Sequence, residues 1–291
     1  MKTIICGDTH IKESAIPELK NTFETDIFPI QADRFVQVGD WFESNRPTPR
    51  EQMFSSWLIN KLKELYKEVI ILSGNGTHDL LNDASAIEHL SYISGKIKTV
   101  KGDYIDGEVL YGHWMTDCSK FEYGTHRHTV KDLKDKYKYV FLGHQHSPQK
   151  LADNIFHVGS IRYVGWNEAQ DLNKSIMIID GDKIETIKLT SPIQMIDVYD
   201  LKELDDISPD TKIRLVLKDF NQFKNSINEL SKYKNRFEEF KLKLDFEIKK
   251  PDQVATSKQR QTRDNIIREY IDNIEDKEVK QVLEEQFKES D

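Results

Sequence analysis

Five short apolar runs in this chain each stop at a glycine that is followed at once by a residue able to bind a cation. They are Thr3-Ile4-Ile5-Cys6 before Gly7-Asp8-Thr9-His10, Phe35-Val36-Gln37-Val38 before Gly39-Asp40, Val69-Ile70-Ile71-Leu72-Ser73 before Gly74-Asn75, Val109-Leu110-Tyr111 before Gly112-His113, and Tyr139-Val140-Phe141-Leu142 before Gly143-His144-Gln145-His146. A short continuous apolar run bounded by a turn signal reads as a strand buried on both faces. Open α/β sheets bind ligands beyond the carboxyl ends of their strands, so five such ends can converge on one site.

Amphipathic stretches such as residues 51–65 separate the runs, and this alternation places residues 1–190 in the α/β class. After His146 the strands shorten. Ser175 to Asp180 turns at Gly181-Asp182 into Ile184 to Leu189, a hairpin expected to join residues 154–158 in a second sheet packed on the first. A smaller α+β cap domain is expected over 191–249, where Ile213, Leu215 and Leu217, and then Leu242, Leu244, Phe246 and Ile248, alternate with polar residues around a helix at 223–233. Residues 250–291 begin as a polar linker and end in two C-terminal helices. Their apolar faces are Ile266, Ile267, Tyr270, Ile271 and Ile274, then Val279, Val282, Leu283 and Phe287. Two short helices at the end of a linker are expected to dock on a partner or to fold back on their own chain. The helix at 51–65 carries Met53, Phe54, Trp57 and Leu58, which suit either a core or a homodimer surface.

Composition narrows the class. A chain of 291 residues, 37% of them hydrophobic, can build a core. Two cysteines, Cys6 and Cys118, are too few for a disulfide framework, the N-terminus lacks a charged-then-apolar leader, and no run approaches the ~20 apolar residues that cross a bilayer. The expectation is a cytoplasmic protein, in the host cytoplasm if phage-encoded, with no membrane role. A net charge of −8 argues against holding nucleic acid by basic surface alone. It leaves room for bound metal ions to carry the missing positive charge.

Singly, the strand-end motifs say little, because an Asp or His after a strand commonly just caps a turn. Their order says more. Asp-x-His, Gly-Asp, Gly-Asn near a His-Asp, Gly-His and Gly-His-x-His, each after an apolar run, resemble the signature of the calcineurin-like metallophosphoesterase superfamily over residues 1–190. That resemblance implies a two-sheet sandwich flanked by helices and a centre for two divalent metal ions. The first ion would lie on Asp8, His10 and His146, the second on Asn75, His113 and His144, with Asp40 bridging them. It also implies a catalytic His78 over the phosphate, with Asp79 orienting its ring; a neighbouring carboxylate favours the protonated imidazole. The chain departs from the family at one point. Gly74-Asn75-Gly76-Thr77-His78-Asp79 has two more residues between Asn and His than the family's Gly-Asn-His-Asp. Either Asn75 keeps the ligand position and Gly76-Thr77 bulges, or Thr77 takes it; the carboxamide oxygen is the better ligand.

Within the superfamily the layout resembles the SbcD-type nuclease subunit. The carriers are Phe156 to Tyr163 followed by Trp166-Asn167-Glu168-Ala169, then the small cap and the terminal helices. The resemblance implies DNA as substrate, an SbcC-type ATPase with a coiled coil as partner, and Mn2+ as the metal, although Mg2+, Fe2+ and Zn2+ suit the same donors. Two other readings stay open: a metallophosphodiesterase for small or cyclic-nucleotide phosphodiesters, and a scaffold with a vestigial site. His126 and His128 read as a surface loop within reach of substrate, His89 and His157 as structural, and Cys6 as a small buried hydrophobe.

Overall fold

A computed structural model describes residues 1–82, 84–120, 127–171, 173–233 and 235–245. His126 and the two C-terminal helical faces lie outside the described residues. The chain separates into two compact units, Met1–Pro192 and Ile193–Asp291.

Besides a two-stranded ribbon, Leu80–Leu81 against Ala84–Ser85, the first unit contains two large sheets. One runs in the order Lys183–Lys188, Ser175–Asp180, Lys2–Cys6, Arg34–Gln37, Glu68–Leu72, Ile97–Val100. Its last four strands are parallel. The other runs Gln149–Ala152, Ile155–His157, Tyr139–Gly143, Val109–His113, Tyr104–Asp106. Side-chain alternation explains why the central strands read as unbroken apolar runs. Ile4, Phe35, Val69 and Ile71 join a core that includes Leu19, Phe23, Leu58 and Leu62 from flanking helices. Ile5, Val36, Ile70 and Leu72 turn the other way and meet Tyr111 and Phe141 of the second sheet. Leu110, Val140 and Leu142 occupy that sheet's far face, against Leu133 of the helix Val130–Lys134. Strands apolar on both faces are what a sandwich with helices outside it requires.

The expected hairpin forms, with Gly181 at φ +61° in its turn, but it joins the first sheet. Ser175–Asp180 lies antiparallel to Lys2–Cys6. The cause is two-sided burial: Ile176 and Ile178 face the helix side while Met177 and Ile179 face the other sheet. Of the residues assigned to a second sheet, only the strand Ile155–His157 is there, parallel to Tyr139–Gly143.

The helix Pro49–Leu65 starts at Thr48, whose hydroxyl accepts from the Glu51 amide while the Glu51 carboxylate accepts from the Thr48 amide, a reciprocal cap. Phe54 and Leu58 are buried in the core, whereas Met53 is 72% exposed. The second unit is a parallel sheet of Met195–Val198, Lys212–Leu217 and Glu239–Leu244, with Ile213, Leu215 and Leu217 packed on Leu204, Phe223 and Leu230. Its expected helix is a short α-helix, Phe220–Ser226, that tightens into a 3-10 segment, Ile227–Lys232. Among the described residues no helix is long and apolar enough to cross a membrane.

Candidate metal centre

The ends of five parallel strands, three from one sheet and two from the other, deliver their following residues to one place. Asp8, His10, Asp40 and His146 bring one donor atom each to within 4.8 Å of one another, and Asp40, His113 and His144 do the same. Asp40 is the shared member. Its Oδ2 is 3.1 Å from His113 Nε2 and 3.7 Å from His10 Nε2. His10 Nε2 and His146 Nε2 stand 2.9 Å apart, and Asp8 Oδ2 is 3.7 Å from His146 Nε2.

The glycines before these residues are there for space. A Cβ on Gly74 would stand 1.8 Å from Asp40 Oδ1, and one on Gly143 would stand 2.2 Å from the Val38 carbonyl oxygen and 2.6 Å from Asp8 Oδ1. The turns themselves are tight. His10, Asp40 and His144 have φ of +47°, +52° and +74°, a region that costs side-chain-bearing residues energy and in which outliers gather at functional sites. The Asp40 carbonyl helps hold this geometry by accepting from the Thr9 and His10 amides at 3.0 and 2.9 Å.

Several buried donor atoms have no hydrogen-bond partner: Asp8 Oδ2, His10 Nδ1, Glu43 Oε2 and His113 Nε2. Orphaned polar atoms are rare in folded proteins and ask for an unrepresented partner. Their chemistry points to cations. Burial holds His10 and His144 below the ordinary histidine value, leaving lone pairs free. His113 goes the other way: burial opposes its charge, yet the Asp40 and Asp8 carboxylates push it up to about 10. Asp40, against its own burial, is held well below the usual carboxylate range by His113, His10 and His78. A buried group of carboxylates that must recruit a proton onto histidine suits divalent cations, and the mixed O and N donors fit Mn2+, Mg2+, Fe2+ or Zn2+ alike.

The inserted Gly76-Thr77 is absorbed by a tight turn. The amides of His78, Asp79 and Leu80 all point at the Asn75 carbonyl, at 3.2, 3.1 and 3.3 Å, and the Asn45 side chain ties down the Gly76 and Leu80 carbonyls. Asn75 therefore stays against Asp40, its backbone amide donating to Oδ1 at 3.1 Å and its carboxamide nitrogen Nδ2 donating to Oδ2 at 3.4 Å. Thr77 is exposed and bonds back to Asn75 Oδ1.

His78 stands at the rim, Nε2 3.8 Å from Asp40 Oδ2. Its orienting group differs from the one expected. Nδ1 donates to the Glu43 carbonyl at 2.6 Å, whereas Asp79 is buried and accepts from the amides of Trp41, Phe42 and Gly74 at 2.9, 3.0 and 2.8 Å. Burial pushes Asp79 up to about 6 against the pull of these three amides, which lock the Asp40 turn to the Asn75 turn.

Two carboxylates that the strand-end pattern does not reveal also reach the site. Glu43 Oε2 is 3.2 Å from His10 Nδ1, off the line of a straight hydrogen bond. Glu168, fully buried, accepts from His146 Nδ1 at 3.0 Å, from Ser160 Oγ and from the Gly165 amide; despite burial, His146 and Lys174 hold its pKa down at about 2. The Trp166-Asn167-Glu168-Ala169 segment was its one sequence signal. His157 is structural, between Ser119 Oγ and the Gly143 carbonyl. His128 is exposed and lies edge-on to Trp114, and His89 is exposed.

A cavity of about 240 Å³ opens beside Asp40, Asn75, His78, His144 and His146, with Gln145, Ser147 and the 164–167 turn as its other wall. Among the described residues no Lys or Arg lines it.

A family model for calcineurin-like phosphoesterases matches residues 1–148. No curated protein matches the chain. Among solved structures, the phosphoesterase Yfce from E. coli is similar, with 16% identity over 66% of this chain and 99% of the other and a TM-score of 0.36. The nuclease MPE from Pseudomonas putida is similar with 12% identity over 64% of this chain and 87% of the other, at a TM-score of 0.33.

Proposed function

The chain belongs to the calcineurin-like phosphoesterase family, and from that premise we propose that it is a DNA nuclease that cleaves phosphodiester bonds with two divalent ions, Mn2+ by preference. The observation that supports phosphodiester hydrolysis is the pair of donor groups sharing Asp40, with His78 at the rim; DNA as the substrate rests on the SbcD-type resemblance of the sequence. Asp8, His10 and His146 would hold one ion, Asn75, His113 and His144 the other, and Asp40 both. Two such ions, when bound, lower the pKa of water and neutralise charge on phosphoryl oxygens. The chain supplies the rest. His78 is fixed by the Glu43 carbonyl; because a carbonyl only accepts, Nδ1 keeps its proton. Nε2 faces the Asp40 side and, in the imidazolium form, can protonate the departing oxygen.

The partner proposed is an SbcC-type ATPase, bound by the residues 250–291 that carry the two apolar faces. A second reading, hydrolysis of small or cyclic-nucleotide phosphodiesters, is favoured by the small cavity free of Lys and Arg. One experiment separates the two. Manganese-dependent release of nucleotides from a linear duplex supports the nuclease, and turnover of a chromogenic phosphodiester with no attack on DNA supports the second reading.

A further inference from the structure

The two halves of the centre are backed differently. In the half built on Asp8, both histidines have a carboxylate behind them. His146 Nδ1 donates to Glu168 Oε1 at 3.0 Å, and His10 Nδ1 faces Glu43 Oε2 at 3.2 Å, an approach off the line of a straight hydrogen bond that leaves both atoms without any other polar partner at hydrogen-bond distance. In the other half His113 Nδ1 donates to a neutral carbonyl, that of Val38, at 2.8 Å, with Asp8 Oδ1 farther off at 3.7 Å and not accepting from it, and Asn75 is a neutral amide.

Both carboxylates are themselves held. Residues 41–43 run alongside residues 9–11: the Glu43 amide donates to the Ile11 carbonyl at 3.0 Å, and the Ile11 amide donates to the Trp41 carbonyl at 2.9 Å. Arg162 lies behind, its guanidinium donating to the His10 carbonyl at 3.0 Å and standing 3.7 Å from Glu43 Oε2. Glu168 is paired with the buried Lys174, which also donates to the His146 carbonyl. Each assembly meets its histidine twice, with a carboxylate beside the ring Nδ1 and a cation donating to the backbone carbonyl. A carboxylate on the far nitrogen fixes the tautomer, aims Nε2 at the ion and makes it a stronger donor, an effect commonly worth 10- to 100-fold in affinity.

We propose that Glu43 and Glu168 are positioning residues that make the two metal sites unequal, so that the Asp8–His10–Asp40–His146 site fills first and empties last. This rests on reading the cluster as a dinuclear metal centre. The test is stepwise titration of Mn2+ into the metal-stripped full chain, followed by calorimetry and by electron paramagnetic resonance. The native protein is expected to bind in two separated steps, the first giving the signal of an isolated ion and the second that of a spin-coupled pair.

In Glu43→Gln and in Glu168→Gln, each a loss of charge with little change of shape, the tight step should weaken by ~10- to 100-fold and the weaker step by less than ~3-fold, bringing the two together. Should Glu168→Gln fail to fold, Glu43→Gln, whose side chain is 31% exposed, decides alone. An unchanged tight step, or equal weakening of both steps, overturns the proposal. Absence of any Mn2+ binding by the native chain would instead overturn the dinuclear reading beneath it.

Discussion

Replacing Gly74 by alanine tests whether the strand-end glycines exist to let the ligands meet. The added Cβ would lie 1.8 Å from Asp40 Oδ1 and 2.4 Å from the Asp40 backbone nitrogen, whereas ordinary contact begins near 3.4 Å. Rotating the Asp40 side chain relieves only the first clash, so the Asp40 turn must retreat as a unit by about an ångström or more. That displacement acts on the one residue common to both metal sites. A misplacement of ~1 Å commonly costs ~10²-fold in rate, and overpacking of this kind costs about 1–3 kcal/mol of stability. For a unit of this size the second figure corresponds to a fall in Tm of roughly 2–12 °C. The neighbouring Gly76 is the internal control, because a Cβ there meets nothing within 4 Å; its alanine variant should stay within about 0.5 kcal/mol of the native protein. Thermal melts, bound-metal analysis and phosphodiester turnover measured on both variants decide the matter. Native turnover and native metal content in Gly74→Ala would refute the close-approach argument.

Asp40→Asn should abolish turnover and empty at least one metal site with the fold intact, since asparagine tolerates the +52° φ at this position; two ions and full turnover would sink the bridging role. His78→Ala should lower the rate by ~10²-fold or more while metal content holds, and a lost ion would show that His78 is a ligand. Truncation after Lys250 removes a segment with 7 Lys or Arg and 11 Asp or Glu, so cleavage of short DNA, the proposed substrate, should persist while binding of the proposed ATPase, read by pull-down, fails; a complex of native affinity would refute the docking role of residues 251–291.

The strand ends were legible because two local signals coincide there: an apolar run long enough for a doubly buried strand, and a glycine whose missing side chain leaves room for the next loop's ligand. Placing Ser175–Asp180 in a sheet was harder, because its apolar run says that both faces are covered but not by which partners; that answer lies in the pairing with Lys2–Cys6, far away in sequence. Glu43 and Glu168 were hidden for a related reason. Neither ends a strand, and each meets its histidine only once loops from distant parts of the chain have packed. Asp79 shows the opposite error. The family resemblance implies a ring-orienting carboxylate there, but three backbone amides capture Asp79 and the adjacent ring turns to the Glu43 carbonyl.

The cations near this site are already engaged. Lys174 is fully buried against Glu168 and Asp171, and the buried Arg162 donates to the carbonyls of His10 and Tyr163. Both neutralise or brace the groups that hold the histidines, and among the described residues no Lys or Arg lines the cavity. Asp40 lines the cavity, and with Arg162 and Lys174 committed to Glu43 and Glu168 no described lysine or arginine side chain is left there to receive a phosphodiester. Bound ions must therefore serve substrate binding as well as chemistry. Chelation should abolish both: a non-hydrolysable phosphodiester should bind the metal-stripped protein at least ~10-fold more weakly than the manganese-loaded protein, as read by calorimetry, and equal binding to the two forms would show that side chains alone receive the phosphate.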